Sequence, residues 1–133
     1  MAIDYGKKRT GIAVTDPLQL IAGGLCTVPT TTIETFVTDY VAREPVERIV
    51  VGMPRQTTGQ DSENMARITP FVNRLRKILP QIPVELFDER FTSVLAHRAM
   101  IEAGLKKKTR QDKALVDEIS ATIILQGWME ARR

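Results

Sequence analysis

The chain has 133 residues, 43% hydrophobic and 26% charged, a balance that supports one packed domain over 1–133 and excludes disorder along its whole length. No apolar run approaches the ~20 residues of a membrane span, and charge enters at Asp4, so the start lacks the form of a secretory leader. The single Cys26 excludes an internal disulfide and reads as a small core residue. Together these features predict a cytoplasmic protein with no membrane association.

Met1–Asp4 is a short apolar start ending in an acid. Tyr5-Gly6-Lys7-Lys8-Arg9 reads as a turn, and Thr10–Thr15 is β-prone with Ile12 and Val14 on one face, so the two segments predict a hairpin. After a loop at Pro17, Leu25–Val28 is a third strand, closed by Pro29. Thr31–Arg43 carries Ile33, Phe36, Val37, Tyr40 and Val41 at helical spacing, with one threonine of Thr30-Thr31-Thr32 as its expected cap. Arg48–Val51 is a strand ended by Gly52-Met53-Pro54, and Arg55–Gln60 is a polar loop. Asp61 or Ser62 is the expected start of a helix carrying Met65, Ile68, Phe71, Val72, Leu75 and Leu79. Pro70 inside that pattern marks a kink or a boundary.

Pro83–Phe87 is a further strand with Asp88-Glu89-Arg90 at its end. Thr92 begins a helix that stops at Gly104, a basic loop spans Lys106–Arg110, and Gln111 or Asp112 begins the last helix, which runs to Arg132. The order predicts an α/β domain: a mixed five-stranded sheet, antiparallel over its first three strands and parallel thereafter, flanked by helices.

The chemistry sits in the carboxylates. Asp4 and Glu89 both follow strands, and ligands of open α/β sheets gather at the carboxyl ends of the parallel strands. Asp117 heads a helical stripe of Ala121, Ile124 and Trp128, so it points toward the sheet, where an uncompensated charge is costly. Singly, each acid has an ordinary reading: Asp4 a turn residue, Glu89 a surface ion pair, Asp117 a cap or a partner of Arg110 or Lys113. Jointly they suit a hard divalent cation, Mg²⁺ or Mn²⁺, and in-line hydrolysis of a phosphodiester. No Cys or His cluster offers a zinc site.

Two basic groups suit a polyanion: Lys7, Lys8 and Arg9 in the first turn, and Lys106, Lys107, Lys108, Arg110 and Lys113 ahead of the last helix. Lys7, Arg9, Arg90, Lys107, Arg110 and Lys113 are the candidate phosphate contacts, with Arg90 better suited to steadying the acids. His97 and Trp128 read as structural, and too few aromatics are present for a base-stacking platform.

Three stretches carry a family resemblance: Asp4-Tyr5-Gly6-Lys7-Lys8-Arg9-Thr10-Gly11-Ile12-Ala13-Val14, Asp88-Glu89-Arg90-Phe91-Thr92-Ser93, and Val116-Asp117-Glu118-Ile119-Ser120-Ala121 continuing to Ile124-Leu125-Gln126. Gly52-Met53-Pro54 and Gly59 also fit. In this order they resemble the YqgF (RuvX) family of pre-16S ribosomal RNA nucleases, also described as Holliday-junction-resolvase-like. The resemblance implies a ribonuclease H-like fold, an acidic triad of Asp4, Glu89 and Asp117, and trimming of the 5′ end of precursor 16S ribosomal RNA, on free RNA or ribosomal particles. Related junction resolvases place an acid after the fourth strand, where this chain has Gly52-Met53-Pro54.

Three other functions are open to the sequence. They are resolution of branched DNA, which favours a homodimer over a monomer, a non-catalytic role in ribosome assembly or transcription, and phosphate binding of the actin-like kind, for which 133 residues are too few.

Overall fold

The computed structural model describes residues 1–53, 59–88 and 113–132, with the backbone alone at 59–62 and 113. The strands are β1 (Ala2–Tyr5), β2 (Arg9–Thr15), β3 (Ala22–Pro29), β4 (Ile49–Met53) and β5 (Val84–Asp88). The helices are α1 (Ile33–Arg43), α2 (Gly59–Ile78) and α3 (Lys113–Ala131), with a 3₁₀ turn at Thr30–Thr32. The sheet order is β3-β2-β1-β4-β5. β1 pairs antiparallel with β2, and β2 with β3, whereas β1–β4 and β4–β5 are parallel. This is the mixed α/β sheet that the chain order predicts.

Alternation along the strands sorts side chains onto two faces. Ile3, Ile12, Ile49, Val51 and Val84 join Ile33 and Val37 of α1 and Ile68, Phe71, Val72 and Leu75 of α2 in the larger core. Ala2, Ala13 and Val50 face the other way, against Ala121, Ile124, Leu125 and Met129 of α3. The α3-facing side is built from small residues, so that helix lies close to the strands. The stripe expected behind Asp117 is therefore the buried one.

Several boundaries differ from expectation. β3 begins at Ala22 and β4 continues through Gly52 and Met53, because partner strands on each side supply backbone hydrogen-bond partners that propensity alone does not. β5 begins one residue later than expected, at Val84, and includes Asp88. α2 begins at Gly59, ahead of the expected caps, and runs unbroken past Pro70, which sits on its exposed side. α3 spans Lys113–Ala131, and its expected start at Gln111 or Asp112 lies outside the described residues.

No threonine side chain caps α1. Thr30 instead reaches the hairpin turn: its hydroxyl donates to Gly6 O at 2.7 Å, and its N–H donates to Lys8 O at 3.0 Å. Thr32 Oγ1 donates back to Pro29 O at 2.8 Å. Trp128 and Phe87 are half-buried and pack against the smaller core. Trp128 donates its indole N–H to Glu85, and the Arg132 guanidinium lies 4.7 Å from its ring centre. Cys26 is half-buried against the larger core, and burial followed by the charge of Glu118 pushes its thiol pKa up. The expected 92–104 helix, with His97, lies outside the described residues. Among the described residues no helix is long and apolar enough to cross a membrane.

Candidate active site

Register creates the site. Asp4, near the carboxyl end of β1, pairs directly with Gly11 of β2. Two residues on from Ala2, Asp4 shares the face that carries α3. A Cβ built at Gly11 would stand 2.1 Å from Asp117 O and 2.4 Å from Asp117 C. The helix backbone thus rests on the bare glycine at the point where Asp4 flanks it. Glycine within a strand marks such a close approach, and here it sets the spacing between two carboxylates that sequence placed on separate elements.

The turn before β2 is tight as well. A Cβ at Gly6 would fall 2.3 Å from Arg9 O. Held by Thr30, this turn brings Arg9 under α3, where its Nε donates to Asp117 Oδ2 at 2.9 Å. The pair is partly shielded, the two side chains retaining 39% and 23% exposure. Thr10 is fully buried, its hydroxyl 2.8 Å from that of Thr30, so the turn is anchored from both flanks.

The electrostatics are lopsided. Asp117 has Arg9, while Asp4 is half-buried, with its pKa pushed up from the ordinary 3.8 to about 7, first by burial and then by the charge of Asp117. Among the described residues the two acids together hold one guanidinium, that of Arg9. A carboxylate pair with surplus negative charge, lined by oxygen donors, fits a hard divalent cation. Among the described residues no third acid, histidine or cysteine completes a cluster with these two.

Of the residues singled out in the sequence, Asp4, Asp117 and Arg9 come together. Lys7 and Lys8 are exposed on the turn beside Asp4. Lys113 begins α3, one helical turn before Asp117. Glu89, Arg90, Lys107 and Arg110 lie outside the described residues. Asp88, just before Glu89, pairs in register with Met53 at the carboxyl end of β5, the same sheet edge toward which β1 runs.

In the sequence Arg9 reads as a phosphate contact and Arg90 as the residue that steadies the acids. The structure shows Arg9 already bound to Asp117. Arg9→Ala is expected to lower activity by about 10- to 100-fold through misplacement of Asp117, with Arg9→Lys recovering part of it, since lysine keeps the charge but not the fixed guanidinium plane. Turnover measured over a Mg²⁺ titration checks this. Equal activity of parent and alanine variant at every metal concentration would remove Arg9 from the site.

An α/β domain with its antiparallel hairpin start, order β3-β2-β1-β4-β5 and facing carboxylates on β1 and the last helix has the ribonuclease H-like architecture. The sequence profile of the RuvX family, described as Holliday junction resolvase, matches residues 1–131, and the chain belongs to that family. A protein of Phocaeicola vulgatus named "Putative pre-16S rRNA nuclease" is 67% identical over 133 residues, which cover 100% of this chain and 96% of the relative. Relatives of the same name from Porphyromonas gingivalis and Flavobacterium johnsoniae are 57% identical over 130 residues (98% of this chain, 94% of the relative) and 51% over 133 (100% and 96%).

Proposed function

We propose that this chain is a metal-dependent nuclease that hydrolyses phosphodiester bonds in maturing the 5′ end of precursor 16S ribosomal RNA, as a single cytoplasmic domain acting on the free precursor or on assembling ribosomal particles. The observation that carries the reading is the closeness of Asp4 to Asp117, whose charge, after burial, raises the Asp4 pKa, while the described guanidinium at the site, that of Arg9, is bound to Asp117. The names of the relatives support the substrate.

In this reading Asp4 and Asp117 hold Mg²⁺ or Mn²⁺ together with Glu89, which follows directly on β5. A bound divalent ion supplies the charge that activates a water and stabilises the leaving oxygen. The chain's own part is positional. Gly11 fixes the height of Asp117 above β1, and Arg9 fixes its carboxylate plane. Lys7 on the hairpin turn, with Arg90, Lys107, Arg110 and Lys113, grips the substrate backbone, so binding falls steeply with salt.

The test is to incubate purified protein with 5′-extended precursor 16S RNA and with four-way DNA junctions, in Mg²⁺, in Mn²⁺ and in excess chelator. The expected result is metal-dependent cutting of the precursor that stops with chelator. Cutting that persists in chelator overturns the metal site. Cutting of junctions alone transfers the reading to junction resolution, which the family's description favours. Binding without cutting in either metal favours an assembly factor.

A further inference from the structure

Residues 17–33 carry no charged side chain, in a chain otherwise 26% charged. This neutral stretch contains the loop between β2 and β3 and the whole of β3, an edge strand. Exposed edges are ordinarily blunted with lysine or other charges, because their free N–H and C=O groups template pairing with another chain. Here Leu18, Leu20, Ile21 and Leu25 are 76%, 62%, 71% and 36% exposed, and they make up four of the six exposed large hydrophobic residues among those described.

The loop is built rather than loose. The Asp16 carboxylate accepts from the N–H groups of Leu18 at 3.2 Å, Leu20 at 2.8 Å and Ile21 at 2.7 Å. Gln19 adopts a left-handed φ of 57°, and its side chain donates to Glu47. A register shift between Ile12 and Ala13 leaves Leu25 without a partner on β2 and out of the ladder. A Cβ at Gly23 would meet nothing within 4 Å, so the edge beside these leucines is open.

We propose that this edge is a self-association surface, on which a second copy of the chain pairs its own β3 antiparallel across a two-fold axis near Gly23. Charge selects the occupant. With a net charge of +3, two copies repel where their cations face each other. Residues 10–42 hold no lysine or arginine, and the charges nearest the edge are the carboxylates of Asp16 in the loop and Glu118 against Gly24, so copies meet there with no cations of that stretch in opposition. A nucleic acid finds no cation there. An identical edge supplies partners for the backbone donors and acceptors of this one and aliphatic side chains to cover its own, as an isologous contact requires.

Sedimentation equilibrium of the full chain, from low to high micromolar concentration, tests this together with Leu20→Lys, Leu25→Lys and Gly23→Cys, the last with Cys26→Ser. The dimer mass is expected for the parent. Each lysine variant is expected to weaken association by about tenfold or more while keeping the parent's circular dichroism. Gly23→Cys is expected to form a disulfide-linked dimer under mild oxidation. A parent that stays monomeric at the highest concentration overturns the proposal, as does a dimer that tolerates both lysines or never crosslinks through position 23. None of these readouts depends on cleavage, so they stand or fall apart from the nuclease assignment.

Discussion

Asp4→Asn is expected to lose cleavage and gain stability at once. Asparagine keeps the shape of the side chain but removes the charge available to a cation. The expected loss in turnover is about a thousandfold or more, equivalent to ~4 kcal/mol in the barrier. The stability gain follows from linkage. The carboxyl of Asp4 has its pKa raised from 3.8 to about 7 in the folded chain, so the fold prefers its neutral form.

For an acid shifted upward, the penalty is absent below the unfolded value, grows as pH rises and is complete above the folded value. Without metal, variant and parent should therefore be equally stable near pH 4. Above pH 7 the variant should lead by on the order of 2–4 kcal/mol. Added Mg²⁺ should close the gap by stabilising the parent alone. Urea unfolding from pH 4 to 8, in chelator and in Mg²⁺, checks this. A difference between the two proteins that does not change with pH would mean that Asp4 is not held among uncompensated charge.

Gly11→Ala tests the same site from its floor. The added Cβ would lie 2.1 Å from a helix carbonyl oxygen, and a backbone atom cannot swing aside as a side-chain tip can. Either α3 lifts or β2 yields. The expected destabilisation is about 2–4 kcal/mol, a large share of the stability of a domain this size. Activity should fall with it even below the melting transition, because Asp117 moves away from Asp4. Gly23→Ala, melted at a concentration too low for copies to pair, is the matched control, with open space around its Cβ and an expected change within about 0.5 kcal/mol. Coincident melting curves for Gly11→Ala and the parent would show that α3 does not sit on this glycine.

Local pattern carried the fold where side chains decide it. Alternation of Ile12, Ala13 and Val14, and the stripe of Ala121 and Ile124 behind Asp117, are enough to lay strands and helix against one another. The pairing of Arg9 with Asp117 was not legible, because the two are 108 residues apart and a basic turn beside a nuclease acid reads first as a phosphate contact. The cap expected among Thr30-Thr31-Thr32 is missing for a similar reason, and Thr30 shows why. Threonine ahead of a helix signals a cap, yet its hydroxyl had a better partner in a turn distant in sequence. Gly59 and Pro70 look like breaks when taken locally, and a helix continuous to Leu75 and Leu79 overrides them by burying its apolar side. The signal for Gly11 was available: a glycine in the middle of a β-prone run asks what approaches it.

The arrangement of Asp4 on the first strand and Asp117 on the final described helix has a consequence for biosynthesis. As the message is translated, β1 and β2 emerge early but cannot bring the two acids together until α3 has been made and has docked on Gly11. Contacts that span so much of the chain also form late in folding. On the proposed reading of the site, a nascent chain that still lacks α3 also lacks Asp117, and it is expected to leave the RNA around it uncut.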